Sequence, residues 1–147
     1  MFPGTTANVD RARTRGLELS ARERLGDTWA GRLAYTYLEA ENLTEHTRLL
    51  RRPRHMLAAG LERKFGGGFS AGAGVVYVAQ RQDVDPLTFG TIDPGDYTVA
   101  RLYAAWAVTD RVTVKLRVEN LLDEHYEEVS GYPARGAGVF AGLEAKL

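Results

Sequence analysis

Four aspartates, Asp83, Asp85, Asp93 and Asp96, fall within one short stretch, and carboxylate oxygens at that density are the ligand type of a calcium ion. Their spacing is not that of an EF-hand, and a solvated acidic loop has the same composition. His46, His55 and His125 are far apart and form no HxxxH or HExxH pair, so no metal site is expected. Ser20, Ser70 and Ser130 lack a GxSxG setting, and no serine–histidine–acid arrangement emerges. Gly66-Gly67-Gly68, with Gly72 and Gly74 beyond, has the glycines of a phosphate loop but not the following helix whose N–H groups would bind the phosphate. Arg51, Arg52 and Arg54 form a basic cluster that could contact phosphates or another anionic ligand, although ordinary surface charge gives the same pattern. The sequence therefore offers no enzyme constellation and calls for no cofactor. What remains is binding: Arg101, Tyr103, Arg117 and Tyr97 could stack on or hydrogen-bond a large polar ligand.

The elements that must position these groups are strands. In Val112–Glu119, Val112, Val114, Leu116 and Val118 alternate with Thr113, Lys115, Arg117 and Glu119. A period of two means one apolar and one charged face. Seven segments fit this template, roughly Thr14–Leu25, Trp29–Ala40, His55–Phe65, Phe69–Arg81, Tyr97–Val108, Val112–Leu122 and Gly138–Leu147. Each is near the length of a tilted membrane-spanning strand, about 9–11 residues, and longer than the soluble norm of about five or six. Gly26-Asp27, Gly66-Gly67-Gly68 and Thr109-Asp110 are tight turns; Glu41–Arg54, Gln82–Asp96 and Asp123–Ala137 are long links. Short and long connections in alternation are the asymmetry of an outer-membrane barrel.

The two faces agree. Trp29, Gly31, Leu33, Tyr35 and Tyr37 share one face of the second segment, against Arg32, Ala34 and Thr36. Leu57, Ala59 and Leu61, then Phe69, Ala71, Ala73, Val75 and Tyr77, then Leu102, Ala104 and Trp106 continue the apolar face. Glu23, Arg63 and Glu39 are charges on that face, all near strand ends. A lysine or arginine at mid-membrane costs about 2–4 kcal/mol, but near the interface only about 0–1. Trp29, Phe65, Phe69 and Trp106 flank the short turns, while Tyr35, Tyr37 and Tyr77 lie toward the long links, making two aromatic bands.

Bulk composition is silent by comparison. Nineteen Lys+Arg balance nineteen Asp+Glu, giving net charge +0 and no pull toward nucleic acid. Cysteine is absent, so disulfides and thiolate metal sites are excluded. No apolar run approaches the ~20 residues of a spanning helix, which leaves transmembrane strands untouched. MFPGTTANVDRARTR has no apolar h-region, so a chain bound for the outer membrane is expected to be trimmed or partial.

Asn120-Leu121-Leu122-Asp123-Glu124-His125-Tyr126-Glu127 resembles the NLxDxxYE box of TonB-dependent outer-membrane receptors. Gly131-Tyr132-Pro133 is similar to the family's GYP element, although here Arg135 precedes Gly136 instead of following it. Asn8-Val9-Asp10-Arg11-Ala12 with Thr14-Arg15-Gly16-Leu17-Glu18, and Leu49-Leu50-Arg51-Arg52-Pro53-Arg54-His55, resemble two further family motifs in the right order. Their spacing looks closest to the vitamin B12 (cobalamin) receptors, with siderophore receptors close behind. The resemblance implies an all-β fold: an antiparallel transmembrane β-barrel meander of about seven strands, one part of a roughly 22-stranded barrel. Residues 1–147 would be the C-terminal portion of such a receptor, without its plug domain. The implied location is the Gram-negative outer membrane. The implied partners are outer-membrane lipid, the rest of the barrel and plug or further copies of the chain, and TonB only through the missing N-terminal part. The implied function is transport of cobalamin or an iron–siderophore complex; the alternative is a stand-alone structural or binding sheet. Asn120, Leu121, Asp123, Tyr126, Gly131, Tyr132 and Pro133 would then be structural motif residues, with Arg101, Tyr103, Arg117 and Tyr97 toward the ligand.

Overall fold

The computed structural model describes residues 11–146; Asn8, Val9 and Asp10 of the early motif, and Leu147, lie outside them. Among the described residues the chain forms strands and no helix. The long strands are β1 (Ala12–Leu25), β2 (Trp29–Asn42), β4 (His55–Lys64), β5 (Phe69–Ala79), β8 (Tyr97–Ala107), β9 (Val112–Glu119) and β12 (Gly138–Ala145). Short pieces lie between them: β3 (Thr47–Arg48), β6 (Asp83–Val84), β7 (Thr91–Ile92), β10 (Glu127–Val129) and β11 (Tyr132–Pro133). The sheet runs β1-β2-β4-β5-β8-β9-β12, with β3 pairing antiparallel beside the end of β2, so the fold is all-β and the long strands form an antiparallel meander.

The seven expected segments become the seven long strands, with shifted ends. The fourth stops at Ala79 because Gln80 has φ 56°, and the sixth stops at Glu119 because Asn120 has φ 49°. A left-handed residue turns the chain out of the pleat. The five short strands are absent from the sequence reading; two or three residues carry no legible period.

Turn chemistry fixes the register. Gly68 has φ +75°, and a Cβ there would stand 2.9 Å from the Ala107 carbonyl oxygen, so the β4–β5 turn packs onto the end of β8. Thr109 Oγ1 accepts the N–H of Val112 (3.0 Å), closing the β8–β9 hairpin. At Gly16 a Cβ would lie 2.3 Å from the Tyr37 carbonyl oxygen, which makes the β1–β2 approach possible only for glycine.

Directly paired residues share a face. One face carries Leu25, Trp29 and Arg63; Ala21, Leu33, Ala59, Val75 and Ala100; and Leu102, Val118 and Val139, each set lying across adjacent strands. That face is apolar and open: Leu19 is 56% exposed, Leu33 50% and Leu143 72%. Ala40, Val78 and Ala79 are the buried apolar residues among those described, so the sheet has no second layer and no ordinary core. A water-soluble domain of this size would bury about two-thirds of the surface its unfolded chain exposes. Two of the three charges expected on this face, Glu39 and Arg63, are partnered. Glu39 accepts from Arg15 Nε (2.6 Å) and from the Tyr37 hydroxyl (2.6 Å), and the Arg63 guanidinium lies 5.1 Å and 4.9 Å from the ring centroids of Trp29 and Phe65.

Candidate functional site

The opposite face is where polar side chains gather. Strand register places Arg22, Arg32, Gly60, Gly74 and Arg101 in a single row across β1, β2, β4, β5 and β8. The two glycines leave room for the flanking arginines to lie down. A Cβ at Gly60 would meet Arg32 Nε at 2.7 Å, and one at Gly74 would meet Arg101 Nε at 3.1 Å. The two guanidinium groups thus lean toward each other over the glycine pair. In the next row Tyr103 lies over Gly72, whose Cβ would meet the hydroxyl oxygen at 2.6 Å. Tyr103 is paired with Arg117, whose guanidinium lies 4.9 Å from the Phe140 ring and whose Nε is 3.0 Å from Glu119 Oε1. An open hollow of about 440 Å³ lies against Arg22, Arg32, Glu62 and Tyr103, and a smaller one of about 140 Å³ against Arg32, Arg101 and Glu119. A larger hollow of about 580 Å³ is lined mostly by apolar-face residues such as Leu33, Leu61 and Leu102, and offers almost no polar atoms.

Of the four residues singled out for ligand contact, the fold brings Arg101, Tyr103 and Arg117 together on this polar wall. Tyr97 shares their strand face but sits at the loop end, stacked on Tyr126 with ring centroids 4.2 Å apart. Arg22 and Arg32 were not singled out by sequence. Counting back and forward from the Gly26-Asp27 turn, which pairs Leu25 with Trp29, would have placed them opposite each other.

The long links meet in a second polar cluster. Asp83, 0% exposed, accepts Arg51 Nε (2.8 Å), the Ser130 N–H (2.8 Å) and the Val84 N–H (2.8 Å). Burial by itself would push this carboxyl up; the Ser130 N–H, the Arg51 guanidinium and the Val84 N–H outweigh it and hold it at about 2. Buried Arg81 donates to the carbonyls of Glu127 and Glu128 and lies 5.9 Å from the Tyr97 ring. Three links, between β3 and β4, β5 and β8, and β9 and β12, are joined through these two side chains.

The remaining aspartates serve their own loops. Asp85 accepts the N–H groups of Leu87 (2.7 Å) and Thr88 (3.0 Å), Asp93 that of Gly95 (2.9 Å), and Asp96 that of Gln80 (2.9 Å) as well as the Tyr77 hydroxyl (2.8 Å). Asp96 is held below the usual carboxylate range, first by the Gln80 N–H. Among the described residues no three histidine or acidic side chains converge on a point that could hold a metal ion. His55 contacts the Tyr35 hydroxyl through Nδ1 (2.8 Å).

The motif residues around the last link are bound to backbone. Asn120, 3% exposed, donates to the carbonyls of Glu124 (2.9 Å) and Arg135 (3.1 Å) and accepts the Glu124 N–H (2.9 Å). Asp123 accepts the Ala137 N–H (2.7 Å). Tyr132 and Pro133 form β11 beside β10, and Gly131 N–H donates to Glu127 (2.7 Å).

The sequence profile described as "TonB dependent receptor-like, beta-barrel" matches residues 2–121. The chain belongs to the TonB-dependent receptor β-barrel family. The match ends at Leu121, so the link that carries most of the NLxDxxYE box and the GYP element lies beyond it. The chain is also similar in fold to three solved structures. The ferripyoverdine receptor of the outer membrane of Pseudomonas aeruginosa, bound to ferripyoverdine, is 18% identical with a TM-score of 0.77, over 91% of this chain and 19% of that one. For the copper transporter OprC the values are 22%, 0.76, 92% and 24%. For the ferric-catecholate import receptor Fiu from E. coli K12 they are 21%, 0.77, 91% and 21%. The chain therefore spans about a fifth to a quarter of the length of these receptors.

Proposed function

We propose that this chain supplies barrel wall and external links to an outer-membrane TonB-dependent transporter for a large, scarce nutrient. The observation that carries the reading is the two-faced single-layer sheet: one face open and apolar, the other polar, with short turns at one end and long cross-braced links at the other. Such a sheet is stable with lipid on its apolar face and water or cargo on the other. Residues 1–147 are read as the C-terminal portion of the receptor's barrel. Its plug and the TonB contact would come from outside them.

Cobalamin and iron–siderophore complexes are the proposed cargoes. The order of the sequence motifs supports cobalamin; the ferripyoverdine and ferric-catecholate receptors matched in fold keep siderophores beside it. Arg101, Tyr103 and Arg117 are proposed to meet cargo from the wall, offering guanidinium donors and an aromatic face to a large polar molecule. Tyr97 would act from the rim, through the loops that rest on it. The reading predicts that deleting the gene encoding this chain abolishes TonB-dependent uptake of one labelled cargo, cobalamin or a ferric siderophore, and that Arg101→Gln with Tyr103→Ala in the complete receptor lowers uptake severalfold while the receptor still reaches the outer membrane. Unchanged uptake of both cargoes in the deletion strain would refute it.

A further inference from the structure

On the polar wall, Arg32 and Arg101 stand on either side of a pair of glycines. Arg32 pairs with Gly60, Gly60 with Gly74, and Gly74 with Arg101. Directly opposed residues hold their Cβ positions roughly 4.5–5.5 Å apart, so side chains at 60 and 74 would fill the space between the two arginines. Glycine leaves that space free, and both arginine stems bend into it. A Cβ at Gly60 would stand 2.7 Å from Arg32 Nε, 3.2 Å from its Cγ and 3.4 Å from its Cζ. One at Gly74 would stand 3.1 Å from Arg101 Nε and 3.5 Å from its Cγ. Both side chains therefore lie along the wall and approach each other.

Two like charges turned toward each other repel, and an anion set between them reverses the sign of the interaction. The ion pairs of the same face, Arg117 with Glu119 and Lys115 with Glu144, leave Arg32 and Arg101 out. The hollow of about 140 Å³ that touches both guanidinium-bearing side chains is walled by Ala58, Val76 and Val99. Glu119 is the carboxylate on its lining, and Arg117 Nε already holds it at 3.0 Å. Pockets for drug-sized ligands run to roughly 300–1,000 Å³, so this hollow is too small for the large cargo proposed above and suits one small oxyanion. A carboxylate has both oxygens on one carbon and saturates a single guanidinium fork. A tetrahedral anion has oxygens for a fork on each side. We infer that Arg32 and Arg101 form a two-armed site for one tetrahedral oxyanion of the phosphate type, seated over Gly60 and Gly74. The site goes beyond the transport reading, since it takes the ion whether free or as the end group of a larger molecule.

The test titrates the 147-residue chain, held in a non-ionic detergent, with radiolabelled inorganic phosphate in equilibrium dialysis. Wild type is expected to bind one phosphate per chain and to saturate below about 10 mM. Arg32→Gln and Arg101→Gln should each weaken binding by about tenfold or more, the effect of losing a charged hydrogen-bonding arm. Gly60→Ala keeps every charge, and the nearest atoms to its methyl all belong to the flexible Arg32 side chain. It should weaken binding severalfold by lifting that arm. Glu119→Gln should tighten binding by removing the carboxylate that repels the ion. Arg22→Gln removes an equal charge from the same row but outside the hollow, and should change binding by less than about twofold. Displacement of the label by phenyl phosphate would identify a pendant phosphate as the occupant, and competition by inorganic phosphate alone would identify the free ion; both fit the site. Three results would overturn it: no saturable binding in the wild type, acetate competing as well as phosphate, or equal losses in Arg22→Gln and Arg32→Gln with none in Gly60→Ala.

Discussion

At the scale of single residues, Asp83 has the sharpest consequences. Its carboxyl is held from 3.8 down to about 2, a lowered value, so the links it joins gain stability that is complete above about pH 4 and is lost as pH falls toward 2. Protease cleavage within residues 82–96 is expected to rise through that window in the wild type. Asp83→Asn should cleave faster at neutral pH, with local opening easier by about 1–3 kcal/mol, and should lose the acid step. An acid step that persists in the asparagine variant would show that another group is responsible. Nothing local in the sequence announced this residue. Its partners Arg51 and Ser130 stand 32 and 47 positions away, and among four similar aspartates Asp83 differs by what folds over it.

At the scale of strands, the sequence is far more informative, because alternation and turn residues are local. Trp29, His55, Phe69, Tyr97, Val112 and Gly138 each begin a strand where the pattern says they should. Ends are harder: Asn120 and Gln80 leave the pleat through a left-handed backbone that the apolar period does not encode. The polar wall was half legible. Arg101, Tyr103 and Arg117 follow from the period of β8 and β9, but the row from Arg22 to Arg101 requires the pairing register of five strands. Strand contact also makes a testable distinction between glycines. Gly16→Val is expected to destabilise the β1–β2 pair by about 1–3 kcal/mol, because its Cβ would meet the Tyr37 carbonyl. Gly142→Ala in β12, where a Cβ meets nothing within 4 Å, should be close to neutral. Urea unfolding midpoints of the chain folded in lipid vesicles would compare the two.

At the scale of the whole molecule, no layer among the described residues lies behind the sheet, and its stability is a property of sheet plus solvent. Neighbouring positions should therefore respond oppositely to one substitution. Leu33→Arg, on the apolar face, is expected to cost about 2–4 kcal/mol in a bilayer, whereas Ala34→Arg, one residue on and facing the polar wall, should cost well under half of that. Equal losses in a folding titration would mean that the two faces are not in different solvents. The braced links carry a final implication, for how such a chain can change. Asp83, Arg51 and Ser130 come from three different links yet share one buried contact. A binding agent that recognises one link selects for change in that link alone, but a change that removes Arg51 leaves the buried Asp83 carboxylate without its cation, and one that displaces the Ser130 N–H leaves it a donor short. Link sequences should therefore be inherited and exchanged as a set of three, and a chimera that swaps one without the others should lose its roof before it loses its wall.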